Sequence, residues 1–217
     1  LAVSRYRKYA QRFLFSVALD EASAILEAVR RVPGVHQSII GGSLRRCRET
    51  IGDIDILATA DDAGTLMDVF TTLPNVATII GKGPTKSSVV MKSGIHVDLR
   101  VVRREEFPAA SHYFTGNKEH NTEVRARAKK LGYKLNEYGL FKGENAETIQ
   151  DEAALFAKLG MDFIPPELRE NAGEIEAAEE HALPKLIEVG DIRGTFHCHT
   201  TYSDGRSTLR EMAEAAK

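Results

Sequence analysis

Cysteine is scarce in this chain. Only Cys47 and Cys198 occur, far apart, and Cys198 sits between two histidines. A disulfide framework is therefore not expected, and a reducing, cytoplasmic setting fits best. Long apolar runs are missing as well. None approaches the roughly 20 residues of a membrane span, and no stretch has the layout of a secretory signal, so a membrane is not an expected partner. The chain also lacks a large charge of one sign. Its net charge is −2 over 217 residues, which argues weakly against a nucleic-acid binder. The average hides a split, because residues 1–142 carry a net +7 and residues 143–217 a net −9. The first part can face a polyanion, and the second cannot easily do so. With 42% hydrophobic residues, the length suffices for a core in one domain or two.

The chain opens on a basic, aromatic-rich stretch holding Arg5, Arg7, Lys8 and Arg12. It starts without a methionine, so a fragment is expected. Residues 18–31 form a helical pattern with Ala18, Ala22, Ile25, Leu26 and Val29 on one stripe, stopped by Pro33 and Gly34. Strands are predicted over 35–40, 51–58, 76–80, 87–91 and 95–102, with a helix over 61–73. In the second strand Ile54, Ile56 and Ala58 oppose Asp53, Asp55 and Leu57. In the last, Ile95, Val97, Leu99 and Val101 oppose His96, Asp98 and Arg100. After Pro108 the pattern changes to two helical pieces joined by a Gly-Asn turn, a small strand and turn at 134–143, and a short helix at 150–160. The expected class is α/β (α+β). A mixed sheet with flanking helices precedes a small α+β subdomain and an acidic linker. The boundaries are 1–32 for an opening helical stretch, 33–107 for the sheet with its helices, 108–170 for the small subdomain and 171–190 for the linker. A new strand, loop and helix follow from 191 to 217.

Residues 41–55 read GGSLRRCRETIGDID. Asp53 and Asp55 point the same way if their segment is extended, and HVDLR supplies Asp98 from another strand. Three such carboxylates can hold two Mg²⁺ ions roughly 3.5–4 Å apart, one activating an attacking hydroxyl and the other steadying leaving phosphates. Hard oxygen donors suit Mg²⁺, with Mn²⁺ able to substitute. Asp98 is assigned nearest the attacking hydroxyl. Gly41 and Gly42 permit close approach of a phosphate to the backbone, Ser43 adds a hydroxyl, Arg45 and Arg46 offer guanidinium forks, and Gly52 leaves room for a phosphate tail. Lys82, Thr85 and Lys86 lie in a basic turn suited to a DNA backbone, and Arg100 is grouped with them. Arg125, Arg127, Lys129, Lys130 and Lys134 form a second basic surface.

The motifs GGSLRR, GDIDIL, HVDLR, YFTG, HN and LNEYGLF resemble those of family X DNA polymerases of the bacterial and archaeal type that carry a C-terminal PHP domain. The resemblance covers about 5–160 and resumes at 191. It implies a nucleotidyltransferase-type palm at 33–107, the end of a helical DNA-binding subdomain at 1–32, a nucleotide-selecting subdomain at 108–170 and the start of a PHP domain at 191–217. It implies triphosphate contacts from Ser43, Arg46 and Arg12, with Gly42 and Gly52 beside them, and metal binding by Asp53, Asp55 and Asp98. It places Tyr113, Phe114, Thr115 and Gly116 beside the incoming sugar and base, Asn121 on the base and Arg125 on the templating strand. Cys47 stands where the family often has glycine, and Lys118 where some relatives have an acidic or small residue. The family's lyase-like N-terminal domain and DNA-gripping hairpins are absent from this stretch. The implied activity is transfer of dNMP from dNTP to a primer 3′-hydroxyl, filling short gaps in DNA repair, with gapped duplex DNA and dNTP as partners and a monomer as the expected state.

The segment FHCHTTYSDG resembles the first motif of PHP phosphoesterase domains. There His197, His199 and Asp204 would join later residues in a Zn²⁺ or Mn²⁺ site, so within residues 1–217 that site is incomplete. Two alternatives to templated synthesis stand beside it. One is a nucleotidyltransferase with another acceptor or no template. The other is a nucleic-acid-binding fragment without catalysis.

Overall fold

The computed structural model describes residues 12–194 and 197–216. Arg5, Arg7 and Lys8 lie outside the described residues, as do Thr195 and Phe196 of the histidine segment. The chain divides into two compact units after Leu183.

The first unit begins with β1 (Phe13–Leu14) and α1 (Phe15–Arg30). The stripe Ala18, Ala22, Ile25, Leu26 and Val29 is buried as its spacing requires. The helix starts three residues before the expected boundary and ends where Pro33 and Gly34 follow, Gly34 at φ +84°. Next come β2 (Val35–Ile40), the single-turn α2 (Gly42–Arg45), β3 (Thr50–Ile51), β4 (Asp53–Ala60) and α3 (Ala63–Thr71). Asp62 caps α3 by accepting from Thr65 N at 3.1 Å. Then β5 (Val76–Lys82), β6 (Lys86–Met91) and β7 (His96–Val101) complete a five-stranded mixed sheet in the order β2-β4-β7-β6-β5. Only the central pair β4 and β7 is parallel; the other three pairings are antiparallel.

One face of the sheet packs on α1 and α3, where Ile54, Ile56, Ala58, Val97 and Leu99 meet Ile25, Leu26, Leu66 and Phe70. The opposite face is covered only in part. Leu57, assigned by alternation to the same face as Asp53 and Asp55, is 1% exposed and packs under Phe107 and Ala110. These belong to α4 (Phe107–Thr115), which carries Pro108 in its first turn. The aspartate face is therefore apolar at its C-terminal end and open at its N-terminal end.

After α4 come α5 (Lys118–Lys130), β8 (Lys134–Asn136), β9 (Gly139–Lys142), β10 (Asn145–Ala146), α6 (Glu152–Lys158) and α7 (Glu174–Glu179). Asn117 caps α5 by accepting from His120 N at 2.8 Å, and Asp151 caps α6 by accepting from Ala154 N at 2.7 Å. Their core gathers Val124, Leu140, Leu155, Phe156, Leu159 and Ile164. Ile175 and Ala178 are buried in it too, with Leu183 against its edge. The stretch 171–183, expected as the start of the acidic linker, is thus part of this core. Its glutamates hide the apolar i,i+3 pair that anchors it.

An ion-pair chain joins the two halves of this unit. Arg45 Nη2 meets Glu152 Oε2 at 2.5 Å, and Glu152 Oε1 meets Arg169 Nη1 at 2.6 Å. The Arg169 side chain is 0% exposed, lies over the Phe156 and Phe163 rings and donates from Nε to Ile164 O at 2.9 Å.

In the second unit α8 (Leu209–Ala215) follows a 3₁₀ turn at Val189–Asp191. The strand expected to open the stretch 191–217 is not found among the described residues, which here make no ladder to satisfy an extended backbone.

Glu152→Ala leaves the Arg169 guanidinium buried without its counter-charge. Urea denaturation is expected to show a loss of about 3–5 kcal/mol, whereas Lys158→Ala, which breaks an exposed pair with Glu147, barely moves the midpoint.

Candidate active site

The parallel register of β4 and β7 sets Asp55 directly opposite Asp98. Both project from the open face, and Asp53 lies two residues before Asp55 on the same face. Asp55 is half-buried, and its carboxyl is pushed up to about 7. Burial is the main cause, followed by the negative charges of Asp53 and Asp98, against the opposing pull of Arg100 and Lys86. Asp98 is held on both oxygens. Ser88 Oγ donates to Oδ1 at 2.6 Å, and Lys86 Nζ pairs with Oδ2 at 2.6 Å. Among the described residues, no three His, Cys, Asp or Glu side chains converge in these rotamers closely enough to grip an ion. Both oxygens of Asp98 are turned toward β6 by these bonds. The donor chemistry nonetheless fits a hard divalent cation. Three carboxylates share one patch, and their mutual repulsion is what a cation would relieve.

The turn after β2 is shaped to this patch. Gly41 N donates to Asp55 O at 2.8 Å. Gly42 has φ +60°, and a Cβ there would sit 2.4 Å from Asp55 Oδ2. No side chain fits between that backbone and the carboxylate, in addition to the left-handed dihedral. Cys47 has φ +55°. That is the left-handed region, which favours glycine over a residue with a Cβ.

A cleft of about 370 Å³ opens over Asp53 and Asp55, and Asp98 lies outside its lining. It is lined by Gly42, Ser43, Arg46, Asp53 and Asp55 on one side and by Tyr113, Phe114, Thr115, Gly116, Asn117, Lys118, Asn121 and Arg125 on the other. Most residues named for nucleotide contact thus share one concavity. Asn121 donates to Tyr113 O at 2.8 Å, and its Oδ1 is buried without a hydrogen-bond partner. Arg125 Nε reaches Asn121 O at 3.2 Å. Tyr113 and Phe114 meet edge to face at 5.1 Å. Arg12 and Gly52 are neighbours outside the cleft lining. Arg12 bonds Thr50 through Nε at 2.8 Å and Nη2 at 2.5 Å, and its Nη1 lies 3.6 Å from the Cβ position of Gly52.

Several charged residues have internal partners that spacing alone does not show. Arg45, paired with Arg46 as a phosphate fork, instead binds Thr115 Oγ1 at 2.6 Å and Glu152. Arg46 binds Glu170 Oε1 at 2.8 Å and Thr115 O at 2.6 Å. Arg100, grouped with the DNA contacts, stacks on the Phe114 ring at 4.5 Å. Its half-buried place between Asp98 and α4 suits that stack better than a solvent-facing duplex. Lys82 pairs with Asp68 of α3, and Lys86 with Asp98, whereas Thr85 is exposed in the β5–β6 turn. Ser88, Glu152, Arg169 and Glu170 escaped the sequence reading. Ser88 shares a period-two face with Lys86, but its partner depends on which strand lies beside β6.

In the second unit His197 and His199 face each other, with Nε2 atoms 2.8 Å apart, and His199 Nδ1 meets Asp204 Oδ1 at 2.5 Å. These three residues are together, in a loop rather than a strand.

The sheet and the carboxylate-bearing strands define a nucleotidyltransferase palm of the polymerase β kind. A polymerase β from Leishmania infantum, solved as a ternary P/T complex, superposes with TM-score 0.65 and 22% identity over 76% of this chain and 79% of that one. The model for the DNA polymerase beta thumb matches residues 110–170. The repair DNA polymerase X of African swine fever virus is 32% identical over 139 residues, 59% of this chain and 78% of the viral protein. DNA polymerase/3′-5′ exonuclease PolX of Bacillus subtilis is 38% identical over 99% of this chain. The chain belongs to the family X DNA polymerases. It spans 38% of the length of the Bacillus relative.

Because the folded state keeps a proton on Asp55 that the unfolded state loses above about pH 4, stability falls as pH rises from about 4 to 7 and stays low above that. Asp55→Asn removes this slope. In chelator at pH 8 the variant is expected to be more stable than the parent by roughly 2–4 kcal/mol, with the gap closing by pH 4, as read by urea denaturation across that range.

Proposed function

We propose that this chain catalyses DNA-directed nucleotidyl transfer, joining dNMP from a dNTP to a primer 3′-hydroxyl with release of pyrophosphate, in short-gap repair synthesis. The observation that carries the reading is the Asp55–Asp98 register, with Asp53 and Asp55 lining a cleft that Ser43, Arg46 and Asn121 also line. Family membership supports the same reaction class, and the Leishmania relative's ternary P/T complex supports a duplex as partner.

In this reading Asp53, Asp55 and Asp98 hold divalent cations, Mg²⁺ or Mn²⁺, which would lower the pKa of the attacking hydroxyl and stabilise charge on the leaving phosphates. Asp98 gives up its bonds to Lys86 and Ser88 and accepts the primer hydroxyl's proton or passes it to water. Gly42 and Ser43 offer backbone and hydroxyl donors to phosphate oxygens, and Arg46 offers positive charge. The Tyr113–Phe114 pair forms the wall beside the sugar. Asn121 Oδ1, buried and unpartnered, is oriented to accept a hydrogen bond from the base. Lys86, released from Asp98, and Thr85 meet the phosphodiester backbone without reading sequence. No helix among the described residues is long and apolar enough to cross a membrane.

The test uses a one-nucleotide-gapped duplex, each dNTP separately, and Mg²⁺ or Mn²⁺. Addition of only the template-matched nucleotide is expected, falling to background in Asp98→Ala. Addition indifferent to the template would favour the other-acceptor transferase. Duplex binding with no addition under either ion would leave only a nucleic-acid-binding role.

A further inference from the structure

The guanidinium assigned to the triphosphate is not loose in the cleft. Arg46 donates from Nε to Glu170 Oε1 at 2.8 Å and from Nη1 to Thr115 O at 2.6 Å. Among the described residues, Nη2 is the nitrogen these two partners leave over. The Arg46 side chain is only 11% exposed, so its pairing with Glu170 is partly shielded from water and correspondingly firm.

The second oxygen of Glu170 reaches a different element. Oε2 accepts from Asn117 Nδ2 at 3.0 Å. The orientation of the Asn117 amide is fixed by its other bond, because Oδ1 caps α5 through His120 N. Asn117 N in turn donates to Arg169 O, one residue before Glu170. Helix α5 carries Asn121 and Arg125 into the cleft. One carboxylate therefore links the turn on the phosphate side of the cleft to the helix on its base side.

We propose that Glu170 is the positioning residue of the nucleotide pocket. It holds Arg46 and the N-terminus of α5 at the separation a bound nucleoside triphosphate requires. The inference rests on the nucleotide-binding part of the reading above. A carboxylate that merely neutralised Arg46 would act with the opposite sign, since its removal would strengthen attraction for a polyanion.

Equilibrium dialysis of dATP with Mg²⁺ against the whole chain separates these cases. Glu170→Ala is expected to weaken dATP binding about tenfold, the size of one charge-assisted hydrogen bond. Glu170→Gln should recover only part of this, because its carbonyl can serve Arg46 while its amide nitrogen opposes the Asn117 amide nitrogen. Adding Asn117→Asp restores an acceptor there and keeps a competent helix cap. The double variant Asn117→Asp/Glu170→Gln is therefore expected to bind within about twofold of the parent. A general packing role would not produce that rescue. Unchanged or tighter binding in Glu170→Ala, or a double variant no better than Glu170→Gln, overturns the assignment. Parent protein that binds dATP in this pattern but fails the gapped-duplex assay removes the polymerase reading and leaves the positioning role standing. Parent protein that does not bind dATP removes both.

Discussion

The parallel pairing of β4 with β7 is the constraint on which the site depends. It is the single parallel contact in a sheet otherwise antiparallel, and it requires the long excursion through α3, β5 and β6 before the chain returns. A one-residue slip would send Asp98 into the core and bring Leu99 to the open face. The buried Val97, Leu99 and Val101 oppose that slip, since each would have to leave the apolar layer shared with α1 and α3. The hydrophobic pattern that folds the palm is thus the same pattern that aligns two carboxylates. No separate device is needed to bring them together.

Such alignment is unfavourable by itself. Asp53, Asp55 and Asp98 repel one another, and Asp55 also loses hydration. The fold tolerates this because Lys86, Ser88 and Arg100 supply internal compensation from the neighbouring strand and from the same face. The arginine side of the cleft repeats the arrangement with the sign reversed, Arg46 being held by Glu170 and Arg45 by Glu152. Charges of both signs therefore rest on internal partners, which lowers the cost of concentrating them.

Much of this could be read from period and spacing. Alternation in GDIDIL and HVDLR indicated which side chains share a face, and the stripe from Ala18 to Val29 gave the covering helix. Other features follow from tertiary neighbours and left no local mark. Leu57 obeys the alternation yet is buried, because α4 covers only one end of that face. Ser88 and Lys86 touch Asp98 because β6 lies beside β7, a fact of strand order. The run from 171 to 183 looks like a solvated acidic connector, yet Ile175 and Ala178 bury it in the second core. The histidine segment reads as a strand by alternation, but a strand also needs a partner, and the described residues around it provide none.

The thumb's buried polar groups extend the same logic away from the cleft. His112 is enclosed near His120, Phe156 and Arg169, and its pKa is driven well below the usual histidine value, by burial first and then by the Arg169 charge. His120 is likewise lowered by burial, although the 2.7 Å bond to Glu174 Oε1 opposes that shift. Both rings are thus neutral around pH 7, and the positive charge in this region resides on Arg169, balanced by Glu152. From there the chain of pairs runs through Arg45 to the turn that lies against Asp55. Two glutamates, Glu152 and Glu170, thus tie this region to the arginines that follow the Gly41–Gly42 turn. Neither lines the cleft, yet Glu170 holds Arg46, which does, and Glu152 holds its neighbour Arg45.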